Sequence, residues 1–342
     1  MKYSFSLVLV SVLFSLLPLH AQEGVNLQER GSLLRATGRT VKSISDWGIV
    51  HFFSDYDSTY FDFPAKKWSI KFTTNVTGSE IRVKSRGSDP STAFHSNISS
   101  ESNMTHSLTL GYRSFAVSYT FDPYSKRGNK DSRWSFTTYG NPICLDIVYY
   151  KINSFSGYSV LDRGERVSIP FGGPSMKYFN ANAFYVFNHK HYSFPASVDQ
   201  TYIQYRSTGS AIAGITYTNN RTSIPDLGVE AKSLSINAKM LSLGAGYGYT
   251  WVPGSRWHLM LLAMPKLVFY DSSSLEEGRY RISRTFTRPQ FMFTGHAAVV
   301  HWFNGWFAAL TANVEGYRVG NISGLRLVQM QWQARLHFGI LF

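Results

Sequence analysis

The 342-residue chain carries 34 Lys and Arg against 21 Asp and Glu, a net charge of +13, yet charged residues make up only 16% of it, well below the roughly 25% usual in soluble domains. Aromatic residues also reach 16%. A single cysteine, Cys144, excludes an intramolecular disulfide framework.

Residues 1–21 read as a secretory signal peptide. Lys2 supplies a short positive region, positions 5 to 17 are almost wholly apolar, and Leu19-His20-Ala21 places a small residue before a cut at Gln22. Export argues against nucleic acid as the partner of the basic excess and favours anionic lipid headgroups, acidic glycans or an anion-lined pore. Residues 22–64 form a short periplasmic segment with weak helical spacing through Leu33, Leu34, Thr37, Val41 and Ile44.

From residue 65 to 342, segments of about ten residues alternate apolar and polar positions, the period of a strand with two unlike faces. Trp68, Ile70 and Phe72 alternate with Ser69 and Lys71. A turn is expected at Thr77-Gly78, after which Ile81 and Val83 face outward and Glu80, Arg82 and Lys84 face the interior. A hairpin is expected between Tyr112 and Phe115, where the apolar parity switches. Ile143, Leu145, Ile147 and Tyr149 form one face of the next pair, with Asp146 opposite and Cys144 in the wall. Glycines 244, 246 and 248 alternate with Ala245, Tyr247 and Tyr249, which reads as close packing in a curved sheet because no P-loop lysine or helix follows. Asn304-Gly305 marks another hairpin, and the last strand runs to the final residue with Phe342, Ile340 and Phe338 on its apolar face. Residues 86–103, 122–132, 153–180, 219–234 and 271–288 read as surface loops.

No stretch after residue 21 is apolar for the roughly 20 residues a helical span needs. The fold class is therefore all-β, a transmembrane antiparallel β-barrel of about 12 strands within a range of 10–14, placed in a bacterial outer membrane. Its expected partners are outer-membrane lipid and lipopolysaccharide, with the terminal aromatic strand serving as a signal to the barrel-assembly machinery.

The stretch YVFNHKHYSFPASVDQTYIQYRSTGSAIAG, residues 185–214, resembles the signature of an uncharacterised Gram-negative outer-membrane family filed as a domain of unknown function. The matching positions are Tyr185, Phe187, Asn188, Ser193, Ala196, Gln200, Gln204, Ser207, Gly209 and Ser210; DYDSTYF and GYRSFAVSYTF add to the likeness. The resemblance implies an outer-membrane barrel and no particular reaction.

Two kinds of site follow from the residues. His191 and Ser193, at strand spacing, would share a face and form a base–nucleophile pair of the kind outer-membrane lipid hydrolases use. Lys71, Arg82, Lys84, Arg206, Lys266 and Arg335, with Asp146, Gln200, Gln204 and Glu315, would line a polar, net-positive lumen, either open to anions or plugged by its own side chains. No metal-ligand spacing occurs, so no cofactor is expected. The function classes are a conduit or binding barrel for small anionic or glycan solutes, a lipid hydrolase, and a structural or assembly component of the envelope.

Overall fold

The computed structural model describes residues 55–342 apart from 86–93, 101–102, 124–130, 154, 162–163, 165, 171–172, 225–232, 255, 278–279, 285–289 and 323–324. The signal peptide and the weak helical spacing lie outside the described residues.

Twelve strands form the wall. In chain order they are β2 (Trp68–Ser85), β4 (Asn103–Tyr112), β5 (Phe115–Phe121), β6 (Ser132–Tyr139), β7 (Ile143–Ile152) and β10 (Ser175–Val186). They continue with β12 (Thr208–Ile224), β13 (Leu234–Gly254), β14 (Trp257–Glu277), β16 (Gln290–Trp302), β17 (Trp306–Ile322) and β18 (Leu325–Leu341). Every neighbouring pair is antiparallel, and β18 returns to pair with β2 from Leu341↔Ser69 to Leu325↔Ser85, which closes the barrel. Closure leaves no sheet edge to face hydrocarbon. The seam also ties the chain end: Trp68 N and Phe342 N each donate to the other's carbonyl, at 3.1 and 3.0 Å.

One end of the barrel has tight connections, at Arg113-Ser114, at Gly140–Pro142 and at Phe303–Gly305, and β13 ends and β14 begins there, at Gly254 and Trp257. Arg113 (φ 50°) and Gly305 (φ 83°) take the left-handed backbone such turns need. The opposite end carries the longer excursions. There β3 (Phe94–Ser100) pairs with the upper half of β2, β8 (Phe155–Leu161) with β3, and β9 (Arg166–Ile169) with β8, while β15 (Tyr280–Arg284) pairs with the end of β14. Three of the expected loops, 86–103, 153–180 and 271–288, therefore contain added strands. His95 lies within β3 rather than in a loop.

Alternation sets the two faces. Trp68, Ile70, Phe72, Leu108, Leu110, Val117, Leu261, Leu310, Phe338, Ile340 and Phe342 are exposed on the outside, whereas Lys71, Thr73, Asn75, Ser107, Thr216 and His337 are buried inside. From Trp332 to Phe342 the apolar face of β18 spans ten residue steps, roughly 33 Å along the strand and about 25 Å along the barrel axis at the usual tilt, the height of a lipid-facing band.

The parity of β2 differs from the sequence reading. No turn occurs at Thr77-Gly78; the strand is continuous, and the indole of Trp332 lies over Gly78, where a Cβ would sit 2.4 Å from Nε1. An aromatic covering a cross-strand glycine keeps the strand paired. With parity unbroken, Ile81 and Val83 face inward and are buried, and Arg82 and Lys84 face outward and are exposed. The reason is position: beyond the lipid band the outer face meets water and the inner face becomes a core.

Candidate functional site: a plugged chamber inside the barrel

The long connection between β10 and β12 builds a plug at the tight-turn end. It contains the short helix α1 (Phe194–Val198) and β11 (Ile203–Gln204), which pairs with β1 (Phe61–Asp62). Ser193 is the N-cap of α1 and its Oγ accepts from Ala196 N at 3.3 Å. Pro195 sits in the first turn, where its missing N–H costs nothing. Gln200 ends the turn with φ 58°, and its Nε2 donates to Ser197 O at 2.8 Å.

Apolar contacts hold the plug in the mouth. Phe194 and Tyr192 are buried in a cluster with wall residues Tyr139, Cys144, Phe184, Ile212, Met260 and Leu262. Phe61, Ala196 and Tyr202 form a second cluster below, with Tyr56, Tyr60 and Phe63 packed against it. Tyr56 Oη donates to Asp62 Oδ1 at 2.6 Å, and partial burial together with this carboxylate raises the Tyr56 phenol above its ordinary value. Gly248 of β13 faces the plug: a Cβ on it would lie 2.5 Å from Tyr192 Oη. The absent side chain makes room for the tyrosine.

One ion pair joins wall to plug. Lys71 Nζ donates to Asp199 Oδ1 at 2.8 Å, to Asp199 O at 3.1 Å and to Gln200 Oε1 at 3.4 Å, and both charged side chains are only about a tenth exposed (9% and 11%).

Above the plug lies a chamber of about 200 Å³. Its lining is a hydrogen-bonded layer, as buried polar groups require. Lys266 Nζ donates to Thr216 Oγ1 at 3.0 Å, Thr216 Oγ1 to Asn182 Oδ1 at 2.8 Å, and Asn182 Nδ2 to Asp146 Oδ2 at 3.5 Å. Asn180 Nδ2 donates to Tyr178 Oη at 2.9 Å, which in turn donates to Glu315 Oε2 at 3.3 Å. Arg133 Nη1 donates to Gln333 Oε1 at 2.7 Å, and Gln333 Nε2 to Asn75 Oδ1 at 3.2 Å. Arg335 completes the lining. Lys71, Arg133 and Arg335 thus face Asp146, Asp199 and Glu315 across the chamber, with Lys266 held on Thr216 behind the lining, so this layer is close to balanced rather than strongly positive. Beyond it the interior turns apolar: Ile81, Val83, Ile98, Phe155 and Ile169 join Val148, Tyr150, Met176, Tyr178, Ile236 and Met240 in one buried cluster.

Lys71, Asp146, Glu315 and Arg335 occupy the lumen, and Gln200 and Gln204 are buried in the plug rather than on the wall. Gln204 Oε1 accepts from Ser193 N at 3.2 Å. Arg82 and Lys84 point outward, as described. Arg206 is exposed at the turn end, its guanidinium 5.2 Å from the Tyr60 ring centre. His191 and Ser193 do not share a strand face, because residues 187–191 form a turn and Ser193 caps the helix that follows. Ser193 is 2% exposed with Oγ on the helix cap, while His191 Nδ1 bonds Asn188 Oδ1 at 3.0 Å and its Nε2 lies 3.8 Å from Asp57. Among the described residues no cluster has metal-binding composition.

Arg133, Asn180, Asn182 and Tyr192 were not expected in the site. The alternation Phe179-Asn180-Ala181-Asn182-Ala183 carries a readable signal for the two asparagines. Tyr192 has none, since its contact with Gly248 depends on the folded-back connection.

Similar solved structures share the barrel form at low identity. The outer membrane protease OmpT from Escherichia coli aligns at 6% identity and TM-score 0.46, over 82% of this chain and 98% of its own. The translocator domain of the autotransporter NalP from Neisseria meningitidis aligns at 12% and 0.35, over 92% and 98%. The COG4313 outer membrane channel from Pseudomonas putida F1 aligns at 9% and 0.34, over 84% and 99%. No curated protein matches the chain. Residues 55–342, the barrel together with the β1 segment that completes its plug, match one family model, and the chain belongs to that family, Domain of unknown function (DUF4421).

Proposed function

We propose that this protein is an outer-membrane binding barrel, exported by a signal peptide cleaved near Ala21, with its tight turns toward the periplasm and its longer excursions outside. That orientation follows the usual asymmetry of such barrels. The ligand class that fits the chamber best is a small, neutral, hydroxyl-rich solute of the glycan type. One observation carries this reading: a compact chamber whose cations and carboxylates nearly cancel, framed by amide and hydroxyl side chains from Asn75, Ser107, Thr109, Asn180, Asn182 and Gln333. An open anion conduit calls for an unblocked, net-positive lumen, and a hydrolase calls for a free Ser193 hydroxyl; the plug and the helix cap count against each. The chamber volume is below the roughly 300–1,000 Å³ of drug-sized sites, which suits a monosaccharide-sized guest.

The test pairs two measurements on refolded protein. Planar-bilayer recording is expected to show no steady conductance, and equilibrium dialysis is expected to show saturable uptake of neutral monosaccharides that Asn182→Leu abolishes. Stable anion-selective current steps, or uptake of anionic sugars alone, would overturn the reading.

A further inference from the structure

We infer that the outer wall carries a built site for a phosphorylated glycolipid of the outer leaflet, formed by Lys151, Lys177 and Arg221. The inference rests on the outward orientation of the longer excursions stated above. In the strand ladder Lys177 stands directly opposite Lys151 on one side and Arg221 on the other. All three occupy outward-facing parity positions, with Lys177 and Arg221 exposed; Lys151 is half-buried and also borders the chamber. They therefore form one row perpendicular to three strands, about 10 Å long by the spacing of strands.

Like charges placed directly opposite each other in a sheet repel and cost stability. Among the described residues the flanking positions in the row, Ser132 and Asn237, carry no charge to offset them. Among the described residues none of the three makes an ion pair, whereas the outward Arg82 is held by Glu80 at 2.7 Å. Asp131, which precedes Ser132, accepts from Asn153 N at 2.8 Å. The unbalanced row calls for an external anion.

Height identifies the anion. Two residues further down the same strands stand Tyr149 and Phe179, with Trp134 opposite Tyr149. Trp134 and Tyr149 are 53% and 41% exposed on the outer face, as in an interfacial aromatic belt. One step of two residues raises the cations roughly 7 Å along the strand above that belt, to the level of lipid headgroups. A row of three cations at that height matches a glycolipid head bearing two phosphates, with Arg221 able to take one bidentately and its acyl chains lying on the aromatic belt below.

The experiment uses the full barrel in detergent with native mass spectrometry. The probes are bis-phosphorylated lipid A, its monophosphoryl form and phosphatidylglycerol. Wild type is expected to retain the bis-phosphorylated form, to hold the monophosphoryl form more weakly, and to lose at least tenfold in retention in the K151Q/K177Q/R221Q variant. K177R is expected to keep retention and K177Q alone to weaken it, so the outcome stands even if the triple variant folds poorly. Unchanged retention in both neutral variants, or equal retention of phosphatidylglycerol by wild type, would overturn the site. Labelling of Lys177→Cys by an impermeant maleimide on intact cells separates the two layers of the argument, because Cys144 is fully buried. Labelling without lipid A retention defeats the site alone; absence of labelling defeats the orientation and the site together.

Discussion

Replacing Lys71 with Met leaves the Asp199 carboxylate inside the mouth without its cation. The pair is about 90% buried, and Lys71 also donates to Asp199 O and Gln200 Oε1, so three wall-to-plug contacts disappear together. Removing one partner of a buried pair typically costs about 3–5 kcal/mol. That cost falls on the closed plug and not on the ladder, because Lys71 keeps its backbone pairing to β18 and β4. At about 1.4 kcal/mol per decade, opening of the plug becomes roughly two to three and a half decades more frequent. The chain supplies its own reporter: Cys144 is its single cysteine, fully buried, and packs in the same cluster as Phe194 of α1. The rate at which a small water-soluble maleimide labels Cys144 in the folded protein measures opening. Lys71→Met is expected to raise that rate by the stated factor, and Lys71→Met with Asp199→Asn to recover much of the loss. A variant labelled no faster than wild type, or a double variant as open as the single, would show that the ion pair does not hold the plug.

Other outcomes follow from the same contacts. Gly248→Ala places a methyl 2.5 Å from Tyr192 Oη, and overpacking of this kind costs about 1–3 kcal/mol, seen as faster Cys144 labelling and partly relieved by Tyr192→Phe. Ser193→Ala removes the helix cap and weakens the plug by about 1 kcal/mol in the same assay, while the temperature at which the barrel loses its compact migration on gels stays unchanged. Deleting Phe342 removes both hydrogen bonds to Trp68, and the fraction of heat-modifiable barrel recovered from membranes is expected to fall.

The barrel was legible because lipid and water impose a period of two on every strand. The apolar set from Val328 to Phe342 and the alternation after Leu241 need no tertiary knowledge to read. Thr77-Gly78 misled because glycine usually marks a turn; Trp332, 254 residues away in the chain, supplies what the glycine lacks. That one misplacement inverted Ile81, Arg82, Val83 and Lys84 together, since a slip of one residue exchanges the faces. The loops were overcalled because outside the membrane the polar face turns outward, and Ser- and Asn-rich strands there look like coil. The plug was not legible at all. Residues 187–207 have no period, and the contact that fastens them joins positions 71 and 199, 128 residues apart.

The pairing of the first wall strand with the last has a consequence for the order of assembly. Every other joint in the wall is made between strands that are neighbours, or near neighbours, in the chain; the β2–β18 joint spans almost the whole described sequence and cannot form until Leu341 has been laid down. The connection that fills the mouth belongs to the middle of the chain, and its floor includes the β1 segment that precedes β2. Strands from β12 onward complete the wall around it. Sealing the cylinder is thus the last topological event, and it traps the interior as a lid traps the contents of a jar: the plug must be seated, or threaded in through the open end, by the time the seam zips.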